Sequence, residues 1–302
     1  MRKGSNDMNY NKAKGLFVGS IVGDVYGAPY EFESPEYLEI GYPEYKSGEY
    51  SSGGPFNLPK GYYTDDTSMM LCLSKSLIDC DGVLNQKDNL DYYYNWYKNG
   101  MLSSTGECFD IGMATKRALN QYYISGELPQ MNEENCGNGA LMRLTPIPII
   151  YDDLNAALSA SALQTVTTHF STKCIQVNYI ITELLHNLIK TVNYSHGIEL
   201  IKIAKRKIDG LMTHEVVGSG YVLDTAFIAL ESVLETSDFT SAIIKTCSYG
   251  FDTDTNACVT GMIAGALYGY KSIPKHLSEE ILHIEELKQV FYKLVDLRWD
   301  IA

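Results

Sequence analysis

The stretch GLFVGSIVGDVYG, residues 15–27, places glycine at positions 15, 19, 23 and 27. ACVTGMIAGALYG, residues 257–269, repeats the device with Ala257, Gly261, Gly265 and Gly269. A spacing of four keeps these positions on one slowly drifting helical face. Each glycine costs a helix about 1 kcal/mol relative to alanine, so a face that accepts several is one against which another backbone presses closely. Both stretches therefore read as glycine-faced helices in tight crossings. Each also adjoins an acidic motif, which raises the prospect of a single buried centre.

Helical periodicity dominates the rest of the chain. SMMLCLSKSLID (68–79), IGMATKRALNQYY (111–123), IQVNYIITELLHNLIKTV (175–192) and YVLDTAFIALESVLE (221–235) set apolar or small residues at intervals of three and four. Alternating strand-like runs are scarce. LTPIPII (144–150) is interrupted by two prolines and reads as a connection, and residues 34–60, rich in Pro, Gly, Ser and Tyr, read as one long ordered loop. The expected fold is all-α: a single compact multi-helix domain over residues 11–302, after a disordered or tag-like start at residues 1–10.

Composition excludes several classes. At 302 residues with 45% hydrophobic content, the chain buries a sizeable core. A formal net charge of -13 argues against sequence-independent binding to DNA or RNA, whose phosphates call for Lys/Arg stripes. The seven cysteines are scattered, with no CxxC pair or zinc spacing, and read as reduced thiols. The polar start and the lack of any run of about 18 apolar residues point to a cytoplasmic protein with no membrane partner.

The first acidic motif is GYYTDDTSMMLCL (61–73), with Thr64, Asp65 and Asp66 where a helix should begin. The second is GFDTDTNACVTG (250–261), where Gly250 ends one helix and Asp254 or Thr255 opens the next, leaving Asp252 and Asp254 at the turn. Helix capping explains any one of these residues. Together they would offer six oxygen ligands, which suits hard divalent cations such as Mg²⁺ and Mn²⁺. Spacing alone does not bring residues 65 and 252 together, so both readings stand. An EF-hand is excluded, because positions 6 and 12 of such a loop would be Ala257 and Ile263 rather than Gly and Glu.

Seven blocks in order carry a resemblance: GSIVGDVYGAPYEF (19–32), YTDDTSMML (63–71), TGECFDIGMATKRAL (105–119), CGNGALMRLTPI (136–147), TTHFS (167–171), GSGYVLDTAFIAL (218–230) and FDTDTNACVTGMIAGALYG (251–269). With these the chain resembles the ADP-ribosylglycohydrolase family, in particular its bacterial ADP-ribosyl-dinitrogen-reductase glycohydrolase type. The resemblance implies an all-α fold with two divalent cations, Mg²⁺ or Mn²⁺, at the base of a cleft. It assigns Thr64, Asp65, Asp66, Asp252, Asp254 and Thr255 as metal ligands, and Glu31 as an acid at the cleft mouth. Asp110 would act with Glu31, Asp65 and Asp66 in catalysis, and alone it reads as an N-cap for residues 111–123. Gly137, Asn138, Gly139, His169 and Tyr221 match substrate-contacting positions, the glycines suiting close approach of backbone N–H groups to phosphate. Arg143 fits a structural or a phosphate-binding role equally. Met113 stands where relatives often carry Asn.

The implied reaction is hydrolysis at the ribose anomeric carbon of an ADP-ribosylated protein side chain, arginine first, releasing ADP-ribose. The rival readings are a catalytically weak ADP-ribose-binding relative and a dinuclear-metal nucleotide phosphohydrolase. A monomer is the default state.

Overall fold

The computed structural model describes the backbone of residues 2–299 and the side chains of residues 9–298. Its helices are α1 (Arg2–Gly27), α2 (Pro35–Gly41), α3 (Asp65–Asp79), α4 (Gln86–Asn99), α5 (Met113–Ser125), α6 (Pro146–Ile150), α7 (Leu154–Val166), α8 (Thr172–Lys190), α9 (Tyr194–Asp209), α10 (Val222–Leu234), α11 (Phe239–Cys247), α12 (Thr253–Tyr268), α13 (Lys275–Glu279) and α14 (Ile284–Trp299). Among the described residues the only β pairings are two isolated bridges, Gly53 with Leu58 and Gly137 with Tyr221. The chain is thus all-α and forms one compact domain.

Helices α1 and α12 form its axis. From Leu16 to Tyr26 every residue of α1 is buried, and so is every residue of α12 from Thr253 to Leu267. They run antiparallel with their glycine faces together. A Cβ added at Gly15, Gly19 or Gly23 would lie 2.2 Å from the Gly265 carbonyl oxygen, 2.4 Å from that of Gly261 and 1.9 Å from that of Ala257. No side chain fits there, so the glycine repeats serve a backbone-to-backbone seam. Helices α8, α9, α10 and α11 pack around α12, while α3, α8 and α14 pack on α1. All seven cysteines are free thiols.

Two local expectations differ from what is observed. LTPIPII is no plain connection: α6 occupies Pro146–Ile150, fully buried, with its prolines in the first turn, where a missing N–H leaves no hydrogen bond unmade. Residues 34–60 are not one loop: Ser34 caps α2 by accepting from the Tyr37 N–H, and a 3₁₀ turn follows at Pro43–Lys46. Helix α1 starts at Arg2 and runs without interruption to Gly27. Met1 and residues 300–302 of the expected boundaries lie outside the described residues. No described helix is long and apolar enough to cross a membrane.

Candidate active site

The seam ends at a cluster of acids. Asp24 lies in the last turn of α1, and Glu31 follows the 3₁₀ turn Ala28–Tyr30 that continues it. The first turns of α12 and α3 supply Asp254 with Thr255 and Asp65 with Asp66. Both N-termini present the positive end of a helix dipole to these carboxylates. Thr253 ties the two helices together at this end of the seam by donating to the Gly27 carbonyl at 2.8 Å. A cleft of about 710 Å³ opens above, lined by Glu31, Asp65, Asp110, Asp252, Asp254 and Thr255 on one side and by Gly137–Gly139 and His169 on the other.

The helix starts decide between capping and ligation. Thr64 and Asp252 occupy the N-cap positions of α3 and α12, yet neither side chain makes a capping hydrogen bond. For α3 the cap comes from Asp24, which accepts from the backbone N–H groups of Thr64 and Thr67 and from both hydroxyls. Asp252 therefore faces the cleft, and the Thr64 hydroxyl turns to the buried acids. Asp110 is not a cap either: α5 begins at Met113 with Gly112 as N-cap, and Asp110 stands at φ 59° facing the other acids.

Carboxylate oxygens of Asp24, Asp66 and Asp254 lie within 4.8 Å of one another, and so do those of Glu31, Asp110 and Asp254. Asp254 is common to both groups. The Thr64 hydroxyl sits 2.9 Å from Asp24 Oδ1, 3.1 Å from Asp254 Oδ2 and 3.2 Å from Asp66 Oδ2. It carries one proton and can serve one of the three. Glu31 Oε2, Asp66 Oδ1 and Asp254 Oδ1 are buried with no hydrogen-bond partner. Such orphaned oxygens cost folding free energy unless a positive charge meets them. An all-oxygen donor set with three partnerless atoms fits hard divalent cations. Asp65 and Asp252 line the cleft outside the two groups.

Electrostatics agrees. Burial, with the charge of Asp110 and Asp252 added, pushes Glu31 up to about 10. Burial and Asp252 push Asp110 up to about 8. Asp65, Asp66 and Asp254 are held well above the usual carboxylate range by burial and by each other. Burial raises Asp24 too, against its bonds from Thr64 and Thr67.

The opposite wall carries Gly137, Asn138, Gly139 and His169 on the cleft. The Asn138 N–H donates to the Gly220 carbonyl, and its side-chain amide donates to Asp252 at 2.8 Å and to Thr225. Asn138 thus aims an acid. A Cβ on Gly139 would meet His169 Cε1 at 2.7 Å, so that glycine makes room for the imidazole. Arg143 is fully buried over the Tyr93 ring and donates to Gln164, Thr167 and Thr168. Of its two readings the structural one holds. The Thr168 hydroxyl accepts from Arg143 and pairs with His169 Nδ1 at 2.8 Å. The other ring nitrogen, Nε2, lies beside Gly137; burial and Arg143 lower the His169 pKa to about 3. Tyr221 stands behind the wall rather than on the cleft: its hydroxyl accepts from Lys173, and its ring meets His214 edge-on.

Asp24 was absent from the sequence expectations although its block was noted. A lone acid inside an otherwise apolar glycine-faced helix was the available signal.

The axial pair of this helical fold ends in buried carboxylates beside a cleft, and comparison gives the family. Residues 5–300 match the family model described as ADP-ribosylglycohydrolase. The chain belongs to the ADP-ribosylglycohydrolase family and is an enzyme of that class. It is 33% identical to the ADP-ribosylarginine hydrolase Tri1 of Serratia proteamaculans, over 93% of this chain and 79% of that one. It is 28% identical to the ADP-ribosyl-dinitrogen reductase glycohydrolase of Rhodospirillum rubrum, over 88% of each. A solved structure titled ADP-ribosylglycohydrolase-related protein complex superposes with a TM-score of 0.82 at 29% identity, covering 97% of this chain and 99% of that chain.

Proposed function

We propose that this enzyme hydrolyses the N-glycosidic bond between ADP-ribose and an arginine side chain of a modified protein. The observation that carries the reading is the set of partnerless carboxylate oxygens of Glu31 and Asp254 on the cleft floor and of Asp66 buried beneath it. The residues to hold two divalent cations, Mg²⁺ or Mn²⁺, are Asp24, Asp66 and Asp254 with Thr64, and Glu31 and Asp110 with the shared Asp254. Asp65, Asp252 and Thr255 flank them. Such ions would supply Lewis-acid polarisation and an activated water.

The chain's own groups do the rest. Bond cleavage builds positive charge on the ribose ring, which the carboxylate cluster favours. Water adds its oxygen to the anomeric carbon, and one proton goes to the departing guanidine. Glu31 and Asp110 are the candidates to relay that proton, each through a carboxylate oxygen not needed to hold a cation. Across the cleft His169 Nε2 is a hydrogen-bonding group for the hydroxyl-bearing part of ADP-ribose, and Asn138 holds Asp252 in place.

The test is release of ADP-ribose from an arginine-modified protein with Mg²⁺ or Mn²⁺ and again with chelator. Cation-dependent release of intact ADP-ribose is expected. Release of AMP or phosphate instead would overturn the reading. Turnover by Glu31→Gln and Asp110→Asn assigns the proton donor, and wild-type turnover by both would remove each from that role.

A further inference from the structure

Three acids of the site each have a phenylalanine as sequence neighbour: Glu31–Phe32, Phe109–Asp110 and Phe251–Asp252. Phe32 and Phe251 line the same cleft as the acids, at its outer edge. Both have positive φ, 68° and 58°, in a region that bulky side chains adopt only under strain. Neither recovers that strain through burial, since Phe32 is 62% exposed and Phe251 40% exposed. The surrounding backbone enforces the conformation. The Phe32 N–H donates to the Phe251 carbonyl at 2.6 Å, and the Phe251 N–H donates to that of Glu33 at 2.7 Å. Phe56 extends the edge, with ring centroids 6.5 Å from Phe32 and 5.2 Å from Phe109. Strained, exposed aromatics beside reactive groups are a functional arrangement rather than a packing one.

Charge decides what such a rim receives. Asp24, Glu31, Asp65, Asp66, Asp110, Asp252 and Asp254 gather on this side of the site, and no Lys or Arg lines the cleft among the described residues. Two divalent cations would bring four positive charges against seven carboxylates. A diphosphate or other anionic group gains nothing from the rings here, whereas a planar cation gains both ring faces and the residual field.

We infer that Phe32 and Phe251, extended by Phe56 and Phe109, form an aromatic collar that receives the guanidinium of the modified arginine and selects for it. The inference rests on the reaction proposed above. The collar holds the cation before and during bond cleavage, so it acts on binding and leaves the chemical step little altered.

Phe32→Asn, Phe251→Asn and the double variant test it, because Asn tolerates positive φ and both positions are exposed. The measurements are KM and kcat on an arginine-modified peptide, and inhibition by free argininamide. In the double variant KM is expected to rise about tenfold with kcat within about twofold, and argininamide inhibition to weaken in step. Phe32→Trp, which keeps a ring, should retain the wild-type KM. A double variant whose KM and argininamide inhibition both stay within twofold of wild type would overturn the collar and leave the reaction standing. If the unaltered chain released no ADP-ribose from the arginine-modified peptide, the proposed reaction would fall and the collar with it.

Discussion

The axial pair α1 and α12 contains two neighbourhoods built on opposite principles. Along Gly15–Gly265, Gly19–Gly261 and Gly23–Ala257, backbone meets backbone and nothing polar from a side chain intrudes. At Asp24 and Asp254, where the seam meets the cleft, the same two helices bury carboxylates, and Asp254 Oδ1 has no hydrogen-bond partner. The first region obeys every rule of a stable interior, and the second breaks the costliest one. Natural chains break such rules at functional sites and compensate elsewhere. Here the compensation is adjacent: a seam too close to slide keeps the acids together against their repulsion.

Substitutions should therefore behave in opposite ways at the two places. The largest effect is expected from Gly23→Val, whose Cβ would lie 1.9 Å from a carbonyl oxygen with no flexible atom to yield. A loss on the order of 4 kcal/mol or more, read by denaturant melting, marks the seam. Asp254→Asn should do the reverse. Activity should fall on the order of a thousandfold, while the chelated protein gains about 1–3 kcal/mol of stability from relieved burial of charge. If Asp254→Asn destabilised the chelated protein, the contrast would be broken.

Arg143→Leu belongs with the seam. It leaves oxygens of Gln164, Thr167 and Thr168 without their donor, so a loss of about 2–4 kcal/mol is expected. A melt within 0.5 kcal/mol of wild type, as for an ordinary surface substitution, would contradict that placing.

Acidity sharpens the comparison. Glu31 and Asp110, raised to about 10 and about 8, bind protons in the folded state that unfolded carboxylates release near pH 4. Between those limits the folded state holds more protons, so stability is greatest below the unfolded value and falls as pH rises through the folded ones. Chelated protein should thus melt at a higher temperature at pH 5.5 than at pH 8, and saturating cation should shrink the gap. The smallest effect is expected from Met113→Asn, 68% exposed at the start of α5. Its stability should shift by less than about 0.5 kcal/mol, with any change confined to KM.

Much of this was legible beforehand for a physical reason. Four-residue glycine spacing admits few explanations, and paired acids at helix starts are rare enough to notice. The family blocks then joined the two motifs. What escaped was set by contacts distant in sequence. Nothing near Thr64 says that Asp24, forty residues upstream, caps α3 in place of the Thr64 side chain. Asp110 looked like a cap because Asp commonly is one, but its positive φ turns it toward Glu31 and Asp254. Prolines 146 and 148 read as breakers, yet both fall in a first turn that needs no N–H donor from them.

The central claim is that the acid pole is completed by divalent cations. Its most direct test is thermal unfolding of the chelated chain at pH 8, with and without Mg²⁺ or Mn²⁺, beside Asp254→Asn. A cation that binds only the folded state raises the melting temperature in proportion to its saturation. The account predicts a rise of several degrees in the wild-type chain and none in the variant. An unchanged melting temperature with either ion, or an equal rise in Asp254→Asn, would contradict it.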